Sequence, residues 1–127
     1  MENNQIKKKT KKLINSFKYA FCGIKTVLQK EQNMKIHFIM MIFVIIAGII
    51  FKISKIEWII CIALIGTVLT AELFNTAIEI VVDMIMPNFD ERAKNAKDIS
   101  AGAVLMIAIA SAIIGLIIFI PKIISLF

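Results

Sequence analysis

Three long apolar stretches dominate the chain and predict three membrane-spanning helices. They cover residues 34–51, 58–86 and 99–120. A helix needs roughly 20 mostly apolar residues to cross a hydrocarbon core of ~30 Å, so each stretch is long enough or nearly so. Trp58 fits the aromatic belt at one membrane boundary. We expect Pro121 to end the third helix, because proline interrupts helical hydrogen bonding.

The segment before the first span has a different periodicity. Its apolar residues recur at spacings of three, four or one, as expected for one face of a helix. They are Leu13, Phe17, Ala20, Phe21, Ile24 and Leu28. Lysines flank this apolar stripe. The pattern predicts an amphipathic helix over about residues 10–30, lying on the membrane surface with its lysines near anionic lipid headgroups.

The composition supports a membrane protein built as a single unit of residues 1–127. Hydrophobic residues make up 59% of the chain, against roughly 45–50% in soluble domains, and the mean hydropathy is +0.85. A chain of this size cannot bury so much apolar surface within itself. A soluble enzyme, a disordered tail and a disulfide-built module are therefore excluded. The two cysteines, Cys22 and Cys61, form no CxxC motif, and we interpret both as packing residues.

The distribution of lysine predicts the orientation of the chain. Residues 1–35 carry nine lysines against two glutamates, whereas the connector 52–57 has a net charge of only +1. The positive-inside rule therefore predicts a cytoplasmic N-terminus in the plasma membrane, with residues 87–98 as a cytoplasmic loop. We interpret the basic cluster 7–12 as a membrane-proximal arm, and expect no binding to nucleic acid.

Five polar residues in the second apolar stretch are the strongest candidates for chemistry. They are Glu72, Asn75, Thr76, Glu79 and Asp83. At 100° per residue all five fall on one face of a helix. An acidic residue inside a membrane costs about 2.5–3.5 kcal/mol on insertion scales and marks function by default. From Trp58, Glu72 lies about 21 Å along the helix and Glu79 about 31 Å, so the stripe would join the lipid interior to the cytoplasmic boundary.

Three interpretations of this polar stripe are open. It could be a polar seam that seals a helix bundle, or part of a proton or cation pathway. It could also be a catalytic site where a lipid alcohol meets a water-soluble donor. Glu31, an acid among lysines just before the first span, would lie at the same boundary and favours catalysis. The charged residues of 88–98 are balanced, and solvation alone would also explain them.

The run Glu72-Leu-Phe-Asn75-Thr-Ala-Ile-Glu79-Ile-Val-Val-Asp83 resembles the signature of the small prokaryotic lipid kinases, the diacylglycerol and undecaprenol kinase family. Three further blocks are similar to this family in the same order. They are Phe17-Lys-Tyr19-Ala-Phe-Cys-Gly23-Ile, Glu31-Gln-Asn33-Met-Lys-Ile-His37 and Ala96-Lys97-Asp98-Ile-Ser-Ala-Gly102-Ala-Val-Leu. The resemblance covers residues 12–120. Cys22 departs from it, since a charged residue is expected there.

This resemblance implies an all-α membrane kinase that transfers phosphate from ATP to the hydroxyl of a membrane lipid. It also implies a homotrimer with composite sites between subunits. Glu72 would be the general base that meets the lipid substrate, and Glu31 with Glu79 would ligate Mg²⁺ and so also contact the nucleotide. The remaining residues that it implies for ATP are Lys12, Tyr19, Asn75, Asn88, Asp90, Lys97 and Asp98.

The resemblance favours undecaprenol as the substrate, because the Glu-x-Asn-x-x-Ile-His block and the Ala-Gly-Ala-Val-Leu run are similar to the Gram-positive branch of the family. Diacylglycerol is the alternative substrate. The alternative outside enzymes is a small transporter or channel subunit, in which the polar stripe would conduct ions.

Overall fold

Four helices make up the computed structural model, which describes residues 2–126. They are α1 (Glu2–Lys30), α2 (Gln32–Ile50), α3 (Lys55–Ile85) and α4 (Glu91–Ile124). No strand occurs within these described residues. Helices α2, α3 and α4 are each long and apolar enough to cross a membrane, so the prediction of an all-helical protein with three helices able to span a membrane is confirmed.

Short, well-defined junctions separate the helices. Glu31 alone, in an extended conformation (φ −94°, ψ 124°), lies between α1 and α2. Helix α3 begins with a capping box, in which the Ser54 hydroxyl and the Glu57 carboxylate each bind the backbone N–H of the other residue. Asp90 caps α4, because its carboxylate accepts hydrogen bonds from the backbone N–H groups of Arg92 and Ala93.

Helix α4 is longer at both ends than the span of 99–120 predicted from the sequence. The Asp90 cap starts it at Glu91, so residues 91–98 are helical and do not form part of a loop. At the other end, the prediction that Pro121 ends the helix is wrong, because α4 continues to Ile124. A proline removes one N–H from the ladder and crowds the carbonyl four residues before it, so it disfavours a helix without always ending one. The turn that contains it is held by an ion pair between Lys122 and Glu57 of α3, with an N–O distance of 3.0 Å.

Helix α3 is the centre of the bundle, and both α2 and α4 pack against it. No Cα atom of α2 lies within 8 Å of a Cα atom of α4 in the described chain. Phe51, directly after α2, and Phe119 of α4 stand edge to face at one end of the bundle, with their ring centroids 6.2 Å apart. Buried Ile53, Cys61 and Ile118 complete this apolar cluster. This cluster therefore closes one end of the bundle.

An apolar groove separates α2 from α4 along α3 and reaches this cluster, since Phe51, Cys61 and Phe119 also line it. It has a volume of about 490 Å³ and includes His37, Val44 and Leu69 among its lining residues. Only 11% of the most apolar window of α2 and of α4, and 17% of that of α3, is buried within the chain. Most of the apolar surface is thus left for lipid or for other subunits. Cys61 is buried as expected for a packing residue, whereas Cys22 is exposed on α1.

Candidate active site

Glu72 is the most deeply buried charged side chain of the candidate site. It lies on α3 with 2% of its surface exposed. Nε2 of His37, on α2, approaches its Oε1 atom to 3.2 Å. The hydroxyl of Thr76, one turn further along α3, donates a hydrogen bond to the backbone carbonyl of Glu72 at 3.0 Å. Glu72 is therefore a carboxylate enclosed by protein, with one polar side chain from a neighbouring helix within hydrogen-bonding distance.

A chain of hydrogen bonds extends from α4 to the next acid on α3. The Ser100 hydroxyl donates to Oδ1 of Asn75 at 2.7 Å. Nδ2 of Asn75 in turn donates to Oε1 of Glu79 at 3.1 Å. Asn75 is buried while Glu79 is half-buried, so this chain leads from the protein interior outward and orients the Glu79 carboxylate.

Exposure increases steadily along the polar face of α3. Glu72, Asn75 and Thr76 are buried, Glu79 is half-buried, and Asp83 is exposed. The exposed Asp83 still contacts a neighbouring helix, since it pairs with Lys97 of α4 at 3.0 Å. Along the polar stripe seen in the sequence, side-chain exposure thus rises from the buried Glu72 to the exposed Asp83.

Glu31 lies at the corner between α1 and α2, where it is half-buried. Its side chain makes no capping hydrogen bond to α2, which leaves its oxygens available. The charges of Glu31 and Glu79 both act on Glu72, so the three acids belong to one region of the molecule.

Two carboxylates in this region suit a divalent cation, although they do not form a complete cage. In residues 2–126 no three His, Cys, Asp or Glu side chains are grouped closely enough to hold a metal ion. Mg²⁺ is usually bound through only one or two carboxylates, and waters and substrate phosphates fill the rest of its shell. Glu31 and Glu79, both half-buried, are the carboxylates that could serve in this way, and Oε1 of Glu79 accepts the hydrogen bond from Asn75.

Four of the residues predicted to bind nucleotide surround one shallow pocket at the α3–α4 junction. The pocket has a volume of about 280 Å³, and Asn88, Asp90, Lys97 and Asp98 lie in its wall. Ion pairs already engage three of them. Lys97 binds Asp83, Lys94 binds Asp98 at 2.5 Å, and Arg92 binds Asp90 at 3.0 Å.

The Asp90 carboxylate has a clear structural role. The Arg92 guanidinium and the backbone N–H groups at the start of α4 hold the pKa of Asp90 at about 2, below its usual value of 3.8. Its charged form is therefore fixed as the helix cap. Asn88, in contrast, is exposed.

Lys12 and Tyr19 are the two predicted nucleotide contacts that the chain does not bring to the carboxylates. Both are exposed on α1. At 1.5 Å per residue they lie about 28 Å and about 18 Å along the helix from Glu31. No hydrogen bond or ion pair between residues 4 and 126 joins them to the acids of α3.

The sequence did not identify two side chains that touch the site, His37 and Ser100. His37 appeared only within the second similar block, with no role of its own, although it is the single histidine of the chain. Ser100 falls inside the third similar block, but a serine in an apolar helix most often bonds its own backbone. The contact of each depends on the packing of two helices, which periodicity alone does not reveal.

Comparison with known proteins gives consistent matches across the three apolar helices. A family model described as prokaryotic diacylglycerol kinase matches residues 18–119. An undecaprenol kinase of Bacillus subtilis is 40% identical over 122 residues, which cover 96% of this chain and 99% of that protein. A diacylglycerol kinase of Synechocystis is 36% identical over 115 residues, which cover 90% of this chain and 66% of that protein.

Proposed function

The chain belongs to the prokaryotic diacylglycerol kinase family and is a lipid kinase, and we propose that it uses ATP to phosphorylate undecaprenol. The similarity to the undecaprenol kinase covers 99% of that relative, while the similarity to the diacylglycerol kinase covers 66%. The apolar groove between α2 and α4 offers a long channel for a hydrocarbon chain. Diacylglycerol is the second candidate substrate, because the other relative is named for it.

The single observation that carries this proposal is the buried carboxylate of Glu72. Burial of a carboxylate with 2% exposure in an apolar helix costs free energy. Its presence there therefore points to a function. As a general base it would accept the proton of the lipid hydroxyl while that oxygen attacks the γ-phosphorus of ATP and the bond to ADP breaks. Phosphoryl transfer depends chiefly on such positioning and on charge neutralisation.

Mg²⁺ is the expected cofactor, and Glu31 and Glu79 are the residues that would hold it. When bound, it would neutralise charge on the phosphates of ATP. Asn75 would position Glu79 through their 3.1 Å hydrogen bond. Lys97 would neutralise phosphate charge, and the other side chains of the pocket, Asn88, Asp90 and Asp98, would border the nucleotide.

The orientation follows from the charge of the two sides of the membrane. Residues 1–35 carry the excess of lysine, which favours a cytoplasmic N-terminus in the plasma membrane. The exposed apolar stripe of α1, which includes Leu13, Phe17 and Phe21, supports a surface position for this helix. The site would then open to the cytoplasm, where ATP is available.

A homotrimer with composite sites would bring the remaining residues together. Lys12 and Tyr19 lie far along α1 from the acids of the same chain, so the α1 of a neighbouring subunit could complete the nucleotide site. The small fraction of each span that is buried within one chain supports assembly. The small residues Ala108, Ser111, Ala112 and Gly115 on α4 would allow close helix contacts.

A mixed-micelle assay with γ-labelled ATP tests the proposal. Undecaprenol and a diacylglycerol are supplied in turn, with and without Mg²⁺, to the purified full chain. We expect label to appear in undecaprenyl phosphate at a higher kcat/KM than in phosphatidic acid, and only when Mg²⁺ is present. A higher kcat/KM for diacylglycerol would show that diacylglycerol, and not undecaprenol, is the preferred substrate. Proton flux in vesicles without any lipid phosphorylation would support the transporter interpretation.

A further inference from the structure

His37 of α2 lies against Glu72, the proposed base. The contact is made across the packing of α2 against α3. The Nε2 atom of His37 lies 3.2 Å from Oε1 of Glu72. The Glu72 side chain is 3% exposed and that of His37 is 22% exposed, so the contact is largely shielded from water. The imidazole also lines the apolar groove, and therefore stands between the groove and the base.

The arrangement of the Glu72 oxygens indicates what this contact does. Oε1 faces the imidazole, while no hydrogen bond between residues 4 and 126 reaches Oε2. No fully buried side-chain oxygen in this part of the chain lacks a partner. Oε2 therefore keeps an accessible side. Oε1 thus lies against the imidazole and Oε2 has an accessible side, which suits a base that must reach the proton of a substrate hydroxyl.

We propose that His37 is a positioning residue for lipid phosphorylation, which holds Oε1 of Glu72 so that Oε2 receives the proton of the substrate hydroxyl. The inference rests on the proposed role of Glu72 as the base. The imidazole donates through Nε2–H and does not itself take the substrate proton. Besides His37, the charged groups that act on Glu72 are Glu31 and Glu79, and neither can donate a hydrogen bond as a carboxylate. His37 is thus the donor that the site provides.

Two substitutions separate donation by His37 from its other properties. His37→Gln keeps an N–H donor at a similar reach but cannot titrate, and His37→Leu keeps the bulk without a donor. His37→Met is a second apolar replacement, which adapts more easily to its surroundings. Ile39→Ala is the matched control, because Ile39 lies two residues along the same helix and is 65% exposed.

The test measures kcat at saturating lipid, the KM for ATP and the thermal unfolding midpoint of each full-length variant in micelles. We expect kcat of His37→Leu and His37→Met to fall about 10- to 100-fold, the range of one hydrogen bond to a charged group. The KM for ATP should stay within about twofold. His37→Gln should recover most of the lost kcat, and Ile39→Ala should behave as the unmodified chain.

Three results would overturn the inference. They are an unchanged kcat in both apolar variants, an equal loss of kcat in His37→Gln, and a loss that appears in the KM for ATP alone. An equal loss in the glutamine variant would mean that the ring itself takes the proton or fixes the local structure. The role of Glu72 is tested separately, since an active Glu72→Gln variant would refute the base while a fully active His37→Leu variant would refute only its positioning.

Discussion

The Ser100 hydroxyl anchors the Oδ1 end of the Asn75 amide. Ser100 Oγ lies 2.7 Å from Oδ1 of Asn75 and 2.9 Å from the backbone carbonyl of Lys97 in its own helix. The hydroxyl has only one hydrogen to donate. Since the Glu79 carboxylate only accepts hydrogen bonds, Asn75 must turn Nδ2 toward it. Oδ1 then faces Ser100 and takes the hydrogen. A serine of α4 thereby orients an acid of α3 that we propose as a metal ligand.

Removal of this hydroxyl should weaken the binding of Mg·ATP. Ser100→Ala leaves the buried Oδ1 of Asn75 without a partner and frees the amide to rotate, so Glu79 loses its orientation. We expect the KM for ATP to rise several-fold, with about 1 kcal/mol lost from the free energy of unfolding, typical of a hydrogen bond between membrane helices.

Ser111→Ala is the control for that substitution. The Ser111 hydroxyl bonds only the Ile107 carbonyl of its own helix, at 2.7 Å, so its loss should leave the KM for ATP unchanged. Steady-state kinetics with ATP as the varied substrate check both variants. Identical KM values for the two alanine variants would contradict the orienting role of Ser100.

We expect ATP to compete with Asp83 for Lys97. In the structure the Lys97 ammonium binds both Asp83 oxygens, at 3.0 Å and 3.2 Å. We propose that the same ammonium neutralises phosphate. Asp83→Asn should therefore free Lys97 and lower the KM for ATP, by no more than about fivefold because exposed ion pairs contribute about 0.2–1 kcal/mol.

Lys97→Met is the opposing change at the same contact. It should raise the KM for ATP about tenfold or more, because it removes one of the charges that face the phosphates. Titration with a fluorescent ATP analogue measures both effects without turnover. ATP binding to Lys97→Met as tight as to the unmodified chain would show that Lys97 serves only to join α3 to α4.

Gly48 is required where α2 approaches the start of α3. A Cβ atom added there would lie 2.7 Å from Cη2 and 2.8 Å from Cζ2 of the Trp58 ring, and 3.1 Å from Cδ1 of Ile53. Gly48→Ala should lower the free energy of unfolding, because overpacking costs about 1–3 kcal/mol against the ~1 kcal/mol that alanine gains over glycine in a helix.

Gly66→Ala provides the comparison, since no atom lies within 4 Å of the position of its added Cβ. It should keep or slightly raise the unfolding midpoint. Thermal unfolding of both variants in the same detergent checks the prediction. A Gly48→Ala variant at least as stable as Gly66→Ala would show that the Trp58 ring moves aside freely.

The sequence predicts the helices well but their ends and partners poorly. The three spans are predictable because transfer of a helix into lipid depends on the hydropathy of that segment alone, which can be read directly from the sequence. The start of α4 was missed because the Asp90 cap overrides the polarity of residues 91–98, which alone would suit a loop. Pro121 misled for a related reason, since the Lys122–Glu57 ion pair stabilises a turn that helix propensity disfavours.

The polar face of α3 was visible in the sequence because a 100° repeat places Glu72, Asn75 and Glu79 together. Their partners were not visible. His37 and Ser100 each lie alone among apolar residues, and only the register of α2 and α4 against α3 brings them to the acids. A single sequence carries no signal for that register.

The most direct test of the account is the turnover of Glu72→Gln with undecaprenol and Mg·ATP. The amide has the shape of the carboxylate but cannot accept the hydroxyl proton. We expect kcat to fall at least about 100-fold, the lower range for general base catalysis, while a fluorescent ATP analogue binds as tightly as before. A Glu72→Gln variant that keeps near-normal kcat would contradict the assignment of Glu72 as the base of this lipid kinase.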